Sequence, residues 1–309
     1  MSDPPITVLM PVYNGEKYLS QAIESIFNQR FTDYELLIVD DCSTDKSVEI
    51  INSYNDERIT LIRNHKNCGQ SQSLNIGLAK AKGEFIARID QDDISYENRL
   101  MTQFKRMSNN NISVLGSWSH AINATGEIIG NIRHPTTSEK INSSATNGCP
   151  MSHSSVLMVK KDIIDVGAYS TDYAVAMDWH LWIKIIRSNR IIENIPEYLV
   201  ALREHQDQVT KLKNYNVNSQ REPHEIILQN RKYINNKNNL IASLAWELHF
   251  EIALINSNTQ TIKFKWIKIL IKYPKLLLPY VLLIFFHKIL KRPNLFYDCP
   301  TTFKRVKNR

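Results

Sequence analysis

In the first hundred residues, apolar runs of strand length keep stopping at polar turns. Ile6 to Met10 runs into Pro11-Val12-Tyr13-Asn14-Gly15, Glu35 to Asp40 ends on Asp40-Asp41, and Glu84 to Ile89 ends on Asp90-Gln91-Asp92-Asp93. A fourth strand is expected over Ile59 to Arg63. Between the runs, Tyr18 to Gln29 sets Leu19, Ala22, Ile23 and Ile26 at helical spacing, and Ser71 to Ala81 does the same with Leu74, Leu78 and Ala81. Strand and helix in alternation predict an α/β chain with a parallel sheet under flanking helices. Ligands of such sheets bind beyond the carboxyl ends of the strands. The three polar ends therefore share one rim, and that rim is the predicted site.

From about Ile112 the pattern loosens into short strand-like pieces, Val114 to Trp118, Glu127 to Ile132 and Ser155 to Val159, followed by a helix around Trp179 to Arg187. Residues 1–110 and 111–214 read as the two halves of one domain, and 215–309 as a helical, Asn- and Lys-rich appendage. With 43% hydrophobic and 22% charged residues in 309, the chain has ample material for a core and is neither disordered nor multi-pass.

The charge is unevenly placed. The chain carries a formal +7, but residues 262–309 hold 12 of its 38 Lys and Arg and one acid, Asp298. The remainder is therefore mildly acidic, which disfavours nucleic acid as a partner and points to an anionic membrane surface at the C-terminal region. The apolar run Leu276 to Phe286 is well short of the roughly 20 residues a spanning helix needs. Phe264, Trp266, Ile267 and Leu270 alternate instead with Lys263, Lys265, Lys268 and Lys272, as in a helix lying in the interface over 262–290. An ordinary core helix with solvated lysines is the alternative. Cys42, Cys68, Cys149 and Cys299 form no C-x-x-C pair, and the start MSDPPITVLMPVYNG lacks a signal-peptide profile. The expected place is the cytoplasm, peripheral on the inner face of the membrane.

Three carboxylates in Asp90-Gln91-Asp92-Asp93 repel one another unless a cation is present, and hard oxygen ligands suit Mg²⁺ or Mn²⁺ held together with substrate phosphates. Aspartates also stabilise turns and cap helices, so this cluster alone decides nothing. In the second acidic turn, Ser43, Thr44 or Asp45 reads as a helix cap, while Asp40 is suited to accept an imide N–H. There is no G-x-x-x-x-G-K-[ST] and no G-x-G-x-x-G, so phosphate charge would be met by metal rather than by a glycine nest. Asp178-Trp179-His180-Leu181-Trp182 reads as a helix start with core tryptophans, or as a carboxylate sheltered by aromatics and suited to proton abstraction. In Arg203-Glu204-His205, the Arg is a candidate for facing a diphosphate and the His for ligating metal.

Taken in order, Val8-Leu9-Met10-Pro11-Val12-Tyr13-Asn14, Ile38-Val39-Asp40-Asp41-Cys42-Ser43-Thr44-Asp45, Asn67-x-Gly69, Leu74-Asn75-x-Gly77, Gly83 to Asp93 and Asp178 to Trp182 resemble the family 2 glycosyltransferases of GT-A fold. The resemblance covers about residues 6 to 205. It implies transfer of a sugar from a nucleotide diphosphate, UDP-hexose or UDP-HexNAc, to a glycan hydroxyl with inversion. It also implies a mixed, mainly parallel sheet and a catalytic domain over 1–214. In such an enzyme Asp40 reads the base, Asp90 holds ribose or helps the metal site, Asp92 ligates the divalent metal with His205 near the metal or diphosphate, and Asp178 is the general base. Pro11, Val12, Tyr13, Asn14, Glu16, Asn67, Gly69, Asn75, Arg88 and Gln91 fall around the nucleotide sugar by the same resemblance. His153 falls near the acceptor, and Met177 stands where many members have an acid. The basic tail adds a lipid-linked acceptor in surface-polysaccharide synthesis. An inactive, sugar-binding relative is the alternative, and retention of carboxylates at 40, 90, 92 and 178 argues against it.

Overall fold

The computed structural model describes residues 3–145, 148–206, 208, 222, 225–226 and 304–305. The chain divides into two units, and all that follows concerns the first, Met1–Ala145 with Cys149–Leu212 and Pro300–Arg309. Apart from the few positions just given, the expected appendage at 215–309 and its membrane-facing segment lie outside the described residues. No described helix is long and apolar enough to cross a membrane.

The strands are β1 Ile6–Val12, β2 Tyr34–Asp40, β3 Ile59–Arg63, β4 Phe85–Arg88, β5 Ile94–Ser95, β6 Val114–Ile122, β7 Ile128–Ile132, β8 Leu157–Val159, β9 Ile192–Arg203 and β10 Lys304–Arg305. The helices are α1 Leu19–Phe27, α2 Ser47–Ser53, α3 Gln70–Lys80, α4 Arg99–Ser108, α5 Ser138–Ser144, α6 Lys160–Asp165 and α7 Met177–Arg187. The sheet runs β10-β7-β6-β8-β4-β1-β2-β3, with β9 alongside β6 and β5 paired to β9. Its first four strands are mutually parallel. Beyond β4, the β8 and β7 pairings are antiparallel, and β9 runs parallel to β6.

Strands β1 and β2 are buried at every position, which is why they read as unbroken apolar runs rather than alternating ones. Helix α1 puts Leu19, Ala22, Ile23 and Ile26 against Val8, Met10, Leu36 and Ile38. Each such side chain contributes about 1.5–3 kcal/mol by leaving water. The edge strand β3 is half-exposed. Among the charged groups buried in this layer is Glu35, whose Oε1 accepts from Thr7 Oγ1 at 2.5 Å and from the Lys82 amide at 2.6 Å. Next to it, Gly83 lies so close to Ile6 and Thr7 that an added Cβ would meet the Thr7 backbone nitrogen at 2.4 Å. Only glycine fits there.

Helix α4 and strand β9, like the shorter β5, α5, α6 and β10, have no counterpart in the sequence reading. Helix α4 points Arg99 and Gln103 into the core, where Arg99 donates to the carbonyls of Arg88 and Val156 and Gln103 to those of Leu115 and Ser155. Strand β9 carries Pro196 and Glu197 in its middle, and its register to β6 shifts there. It ends at Arg203, on the rim.

Candidate active site

Strand β4 ends at Arg88, and the next five residues turn over the rim with the Asp93 amide reaching the Asp90 carbonyl at 3.4 Å. Asp90, Asp92 and Asp93 each bring a carboxylate oxygen within 4.8 Å of the others. Their surroundings differ. Asp90 takes two donors of the buried Arg88 guanidinium, a third from Ser154 Oγ at 3.0 Å and a fourth from Gln70 Nε2 at 2.9 Å. Asp93 accepts the Arg203 amide at 2.9 Å. Asp92 Oδ2 lies 2.9 Å from His205 Nε2.

Burial and the negative charge of Asp90 push Asp92 up from the usual carboxylate range, with His205 acting in the other direction. Burial, then Asp92 and Asp90, push Asp93 well above it. The turn is thus short of positive charge. A divalent cation would supply it, and an all-oxygen donor set of Asp90 and Asp92 suits the hard ions Mg²⁺ and Mn²⁺. The residues fit such a metal.

These carboxylates floor a cleft of about 650 Å³, a size suited to a small-molecule ligand. Pro11, Val12 and Tyr13 of the β1 end, Asn67, Gly69 and Gln70 before and in α3, and Gln91, His153 and His205 all line it. Gln91 exchanges two hydrogen bonds with the Tyr13 backbone, at 2.8 and 3.0 Å, and so ties the first rim loop to the acidic turn. Gly69 has φ +86° immediately before α3, a conformation glycine adopts without strain.

Other sequence-singled residues stand outside the lining. Asp40 is fully buried, accepts the Ser43 amide through both oxygens at 3.3 Å and faces Arg63 at 3.5 Å. Asp41 is the one that lines the cleft. It follows Asp40 while its amide still bonds the Val12 carbonyl, so its side chain turns to the opposite side. Burial pushes Asp41 up, but the Cys68 amide, Asn64, the Cys68 thiol and the Gly69 amide outweigh that and hold it below the usual range.

Asn14 and Glu16 bind the second acidic turn rather than the cleft: Asn14 Oδ1 accepts the Thr44 amide at 2.8 Å and Glu16 Oε2 the Lys46 amide at 3.0 Å. Asp45 takes the Ser47 amide at 2.9 Å at the start of α2. Asn75 clamps the Tyr169 backbone through its amide and carbonyl. Arg203 faces no diphosphate. It is 1% exposed, donates to the carbonyls of Asp92, Asn123 and Ala124 and to Gln21, and stacks over Tyr18. It bolts β9 to the acidic turn and thereby places His205 two residues on.

Asp178 is the second residue of α7, half-buried, and also outside the cleft lining; Thr171, Tyr173 and Ala174 of the loop leading into α7 are in it. Its Oδ1 accepts the Trp179 amide at 2.7 Å and its Oδ2 lies 3.5 Å from Cys149 Sγ. Desolvation raises its pKa, and the Trp179 amide, the Arg88 charge and the Cys149 thiol offset part of that. His153 bonds the Tyr169 hydroxyl at 2.8 Å and is held neutral by burial and by Arg88. Sequence reasoning missed Asp41, Gln70, Ser154 and Tyr173. Only Asp41 carried a signal, the alternation of side chains along an extending strand.

The model of the family described as "Glycosyl transferase family 2" matches residues 7–167. The chain belongs to that family. An Escherichia coli relative, named UDP-Glc:alpha-D-GlcNAc-diphosphoundecaprenol beta-1,3-glucosyltransferase WfgD, is 32% identical over 193 residues, 62% of this chain and 73% of the relative. Two solved structures share the fold. Staphylococcus aureus TarS 1–349 in complex with UDP-GlcNAc has a TM-score of 0.61 at 19% identity over 87% of this chain and 80% of that one. The Pyrobaculum calidifontis mannosyltransferase PcManGT, in complex with GDP-Man and Mn²⁺, has a TM-score of 0.58 at 14% identity over 90% and 81%. The fold is GT-A, and the activity class is glycosyl transfer.

Proposed function

We propose that this glycosyltransferase moves a hexose or N-acetylhexosamine from a UDP-sugar to a hydroxyl of a lipid-linked glycan, with inversion at the anomeric carbon. The observation that carries this reading is the acidic turn Asp90–Asp93, which lines a 650 Å³ cleft together with Tyr13 and Gly69. The WfgD name supports a UDP donor and a lipid diphosphate acceptor. The basic, aromatic composition of residues 262–309 supports an enzyme held at an anionic surface beside that acceptor.

The roles divide by position. Asp41, with the Pro11–Tyr13 backbone, takes the base edge in place of the more deeply buried Asp40. Asp90 and Asp92, with His205 behind Asp92, hold the metal. When bound, the ion neutralises the diphosphate and so stabilises the leaving group. Asp178 accepts the proton of the acceptor hydroxyl as that oxygen bonds to the anomeric carbon. The bond from that carbon to the diphosphate oxygen breaks, and UDP departs with its electron pair. A carboxylate raised by desolvation suits this work, because a base is most effective when its pKa approaches the working pH.

The test is thermal shift with a panel of nucleotides and nucleotide sugars, with and without Mn²⁺, on the protein and on Asp92→Ala. A bound ligand at 100 times its Kd raises stability by about 2.7 kcal/mol. Stabilisation by UDP or a UDP-sugar that needs Mn²⁺ and vanishes in Asp92→Ala is expected. No shift with any nucleotide in the presence of metal overturns the donor assignment and returns the inactive, sugar-binding relative. For the acceptor, removal of residues 262–309 is expected to reduce transfer to a lipid-linked acceptor far more than to a short soluble one. Equal losses would refute the membrane clause.

A further inference from the structure

The thiol of Cys149 stands between two acceptors. Its Sγ is 3.5 Å from Asp178 Oδ2 and 3.3 Å from the Met151 carbonyl oxygen. A thiol has one proton to give, so it donates to one of these at a time, and its sulfur also accepts weakly. The other carboxylate oxygen, Oδ1, has a partner of fixed polarity in the Trp179 amide. The two oxygens of Asp178 are thereby held in different ways, one by a group that can only donate and one by a group that can do either.

We propose that Cys149 is a positioning residue for the transfer step, serving both protonation states of Asp178. While the carboxylate is ionised, the S–H turns to Oδ2 and fixes its direction. Once Oδ2 has taken the acceptor proton, the S–H turns to the Met151 carbonyl and the sulfur accepts the new O–H. The acceptor O–H breaks and the Asp178 O–H forms. The thiol keeps its own proton and rotates about Cβ–Sγ. This inference rests on Asp178 being the base.

The neighbours explain why a partner free to turn suits the position. Arg88 already supplies a positive charge that favours the ionised form, and the Trp179 amide adds a fixed donor. A further donor fixed in direction would hold the carboxylate too firmly to abstract a proton. Tyr169 also feels Asp178, but burial pushes its ionisation far up and its hydroxyl is engaged by His153. The thiol at 3.5 Å is placed to follow the proton.

The experiment compares Cys149→Ala, Cys149→Ser and Asp178→Asn, with pH profiles of kcat and kcat/KM and the UDP–Mn²⁺ thermal shift for each. Cys149→Ala is expected to lower kcat about three- to tenfold with donor KM unchanged. It should also move the acid limb of the profile to higher pH, since the ionised base has lost a donor. Cys149→Ser keeps an O–H that can point either way, and is expected to return kcat to within about twofold of the natural enzyme. A merely structural thiol would lower the melting temperature in both variants and leave the acid limb in place, and that result overturns the inference. If Asp178→Asn is inactive while both Cys149 variants match the natural enzyme, the base stands and this inference alone fails. If Asp178→Asn stays active, the base assignment falls and takes the inference with it.

Discussion

His205 Nε2 lies 2.9 Å from Asp92 Oδ2, although 113 residues separate them in sequence. The contact depends on Arg203, whose backbone and guanidinium fasten the end of β9 to Asp93 and to the Asp92 carbonyl. An imidazole behind a metal-binding carboxylate orients it and adjusts its basicity, and loss of such a partner usually costs about 10- to 100-fold in metal affinity. His205→Ala is therefore expected to raise the Mn²⁺ concentration needed for UDP-induced stabilisation by that factor. His205→Asn, which retains a donor, is expected to lose less. An unchanged Mn²⁺ titration in His205→Ala would rule this role out.

Arg88 makes a different kind of link. Its guanidinium is almost wholly buried, forks onto Asp90, donates to Ser154 Oγ at 2.7 Å, and exerts its charge on Asp178 and His153. Removing one partner of such a pair strands the other, at a cost of about 3–5 kcal/mol where both are buried and less here because Asp90 is partly exposed. Arg88→Met is expected to lower stability by about 2–3 kcal/mol in urea unfolding. Arg88→Lys should recover only part of this, since an ammonium cannot reproduce the fork. A Lys variant as stable as the natural protein would show that charge alone, without the planar geometry, suffices.

The rim could be located from sequence because three strands that are buried on both faces end where their apolar runs end. What the pattern could not carry is which way a side chain turns at the edge. Asp40 and Asp41 are adjacent and chemically identical, and only the extension of the β2 pairing by one residue decides that Asp41 enters the cleft. Helix α4 was legible, since Leu100, Phe104 and Met107 stand at helical spacing, but the inward turn of Arg99 and Gln103, whose polar atoms are spent on core carbonyls, was not. Strand β9 was hidden because Pro196 interrupts its alternation. Asp178 was legible as a residue, but its partners Cys149 and Arg88 come from distant parts of the chain.

The choice between the two aspartates is testable. Asp41 accepts the amides of Cys68 and Gly69 and the side chain of Asn64, so an amide at this position would point N–H at N–H. Asp41→Asn is expected to cost about 1–3 kcal/mol of stability and to abolish measurable UDP binding by calorimetry. Asp40→Asn is expected to reduce stability, since its carboxylate holds Ser43 and Arg63, while leaving UDP affinity within about threefold, because it lies outside the cleft lining. The reverse pattern would restore Asp40 as the reader of the base.

Acid should act on the fold first through its buried histidines. Burial pushes His134 down to about 4, its Nε2 resting 2.9 Å from Ser152 Oγ; burial, then the charges of Lys184 and Arg187, pushes His180 down to about 4. In the unfolded chain both titrate near 6.5. Between these values the unfolded chain binds protons that the folded one refuses, so stability present above pH 6.5 is lost as pH falls toward 4. Asp41 acts only lower, since its folded pKa lies below 3.8. The histidines therefore lower the melting temperature between pH 7 and pH 5, against the gain from Asp92, Asp93 and Asp178, whose raised pKa values let the folded chain take up protons first. His134→Gln, which cannot charge but can still bond Ser152, should raise the melting temperature at pH 5 relative to that at pH 7. A variant whose melting temperature tracks the natural protein across this window would show that His134 does not carry the effect.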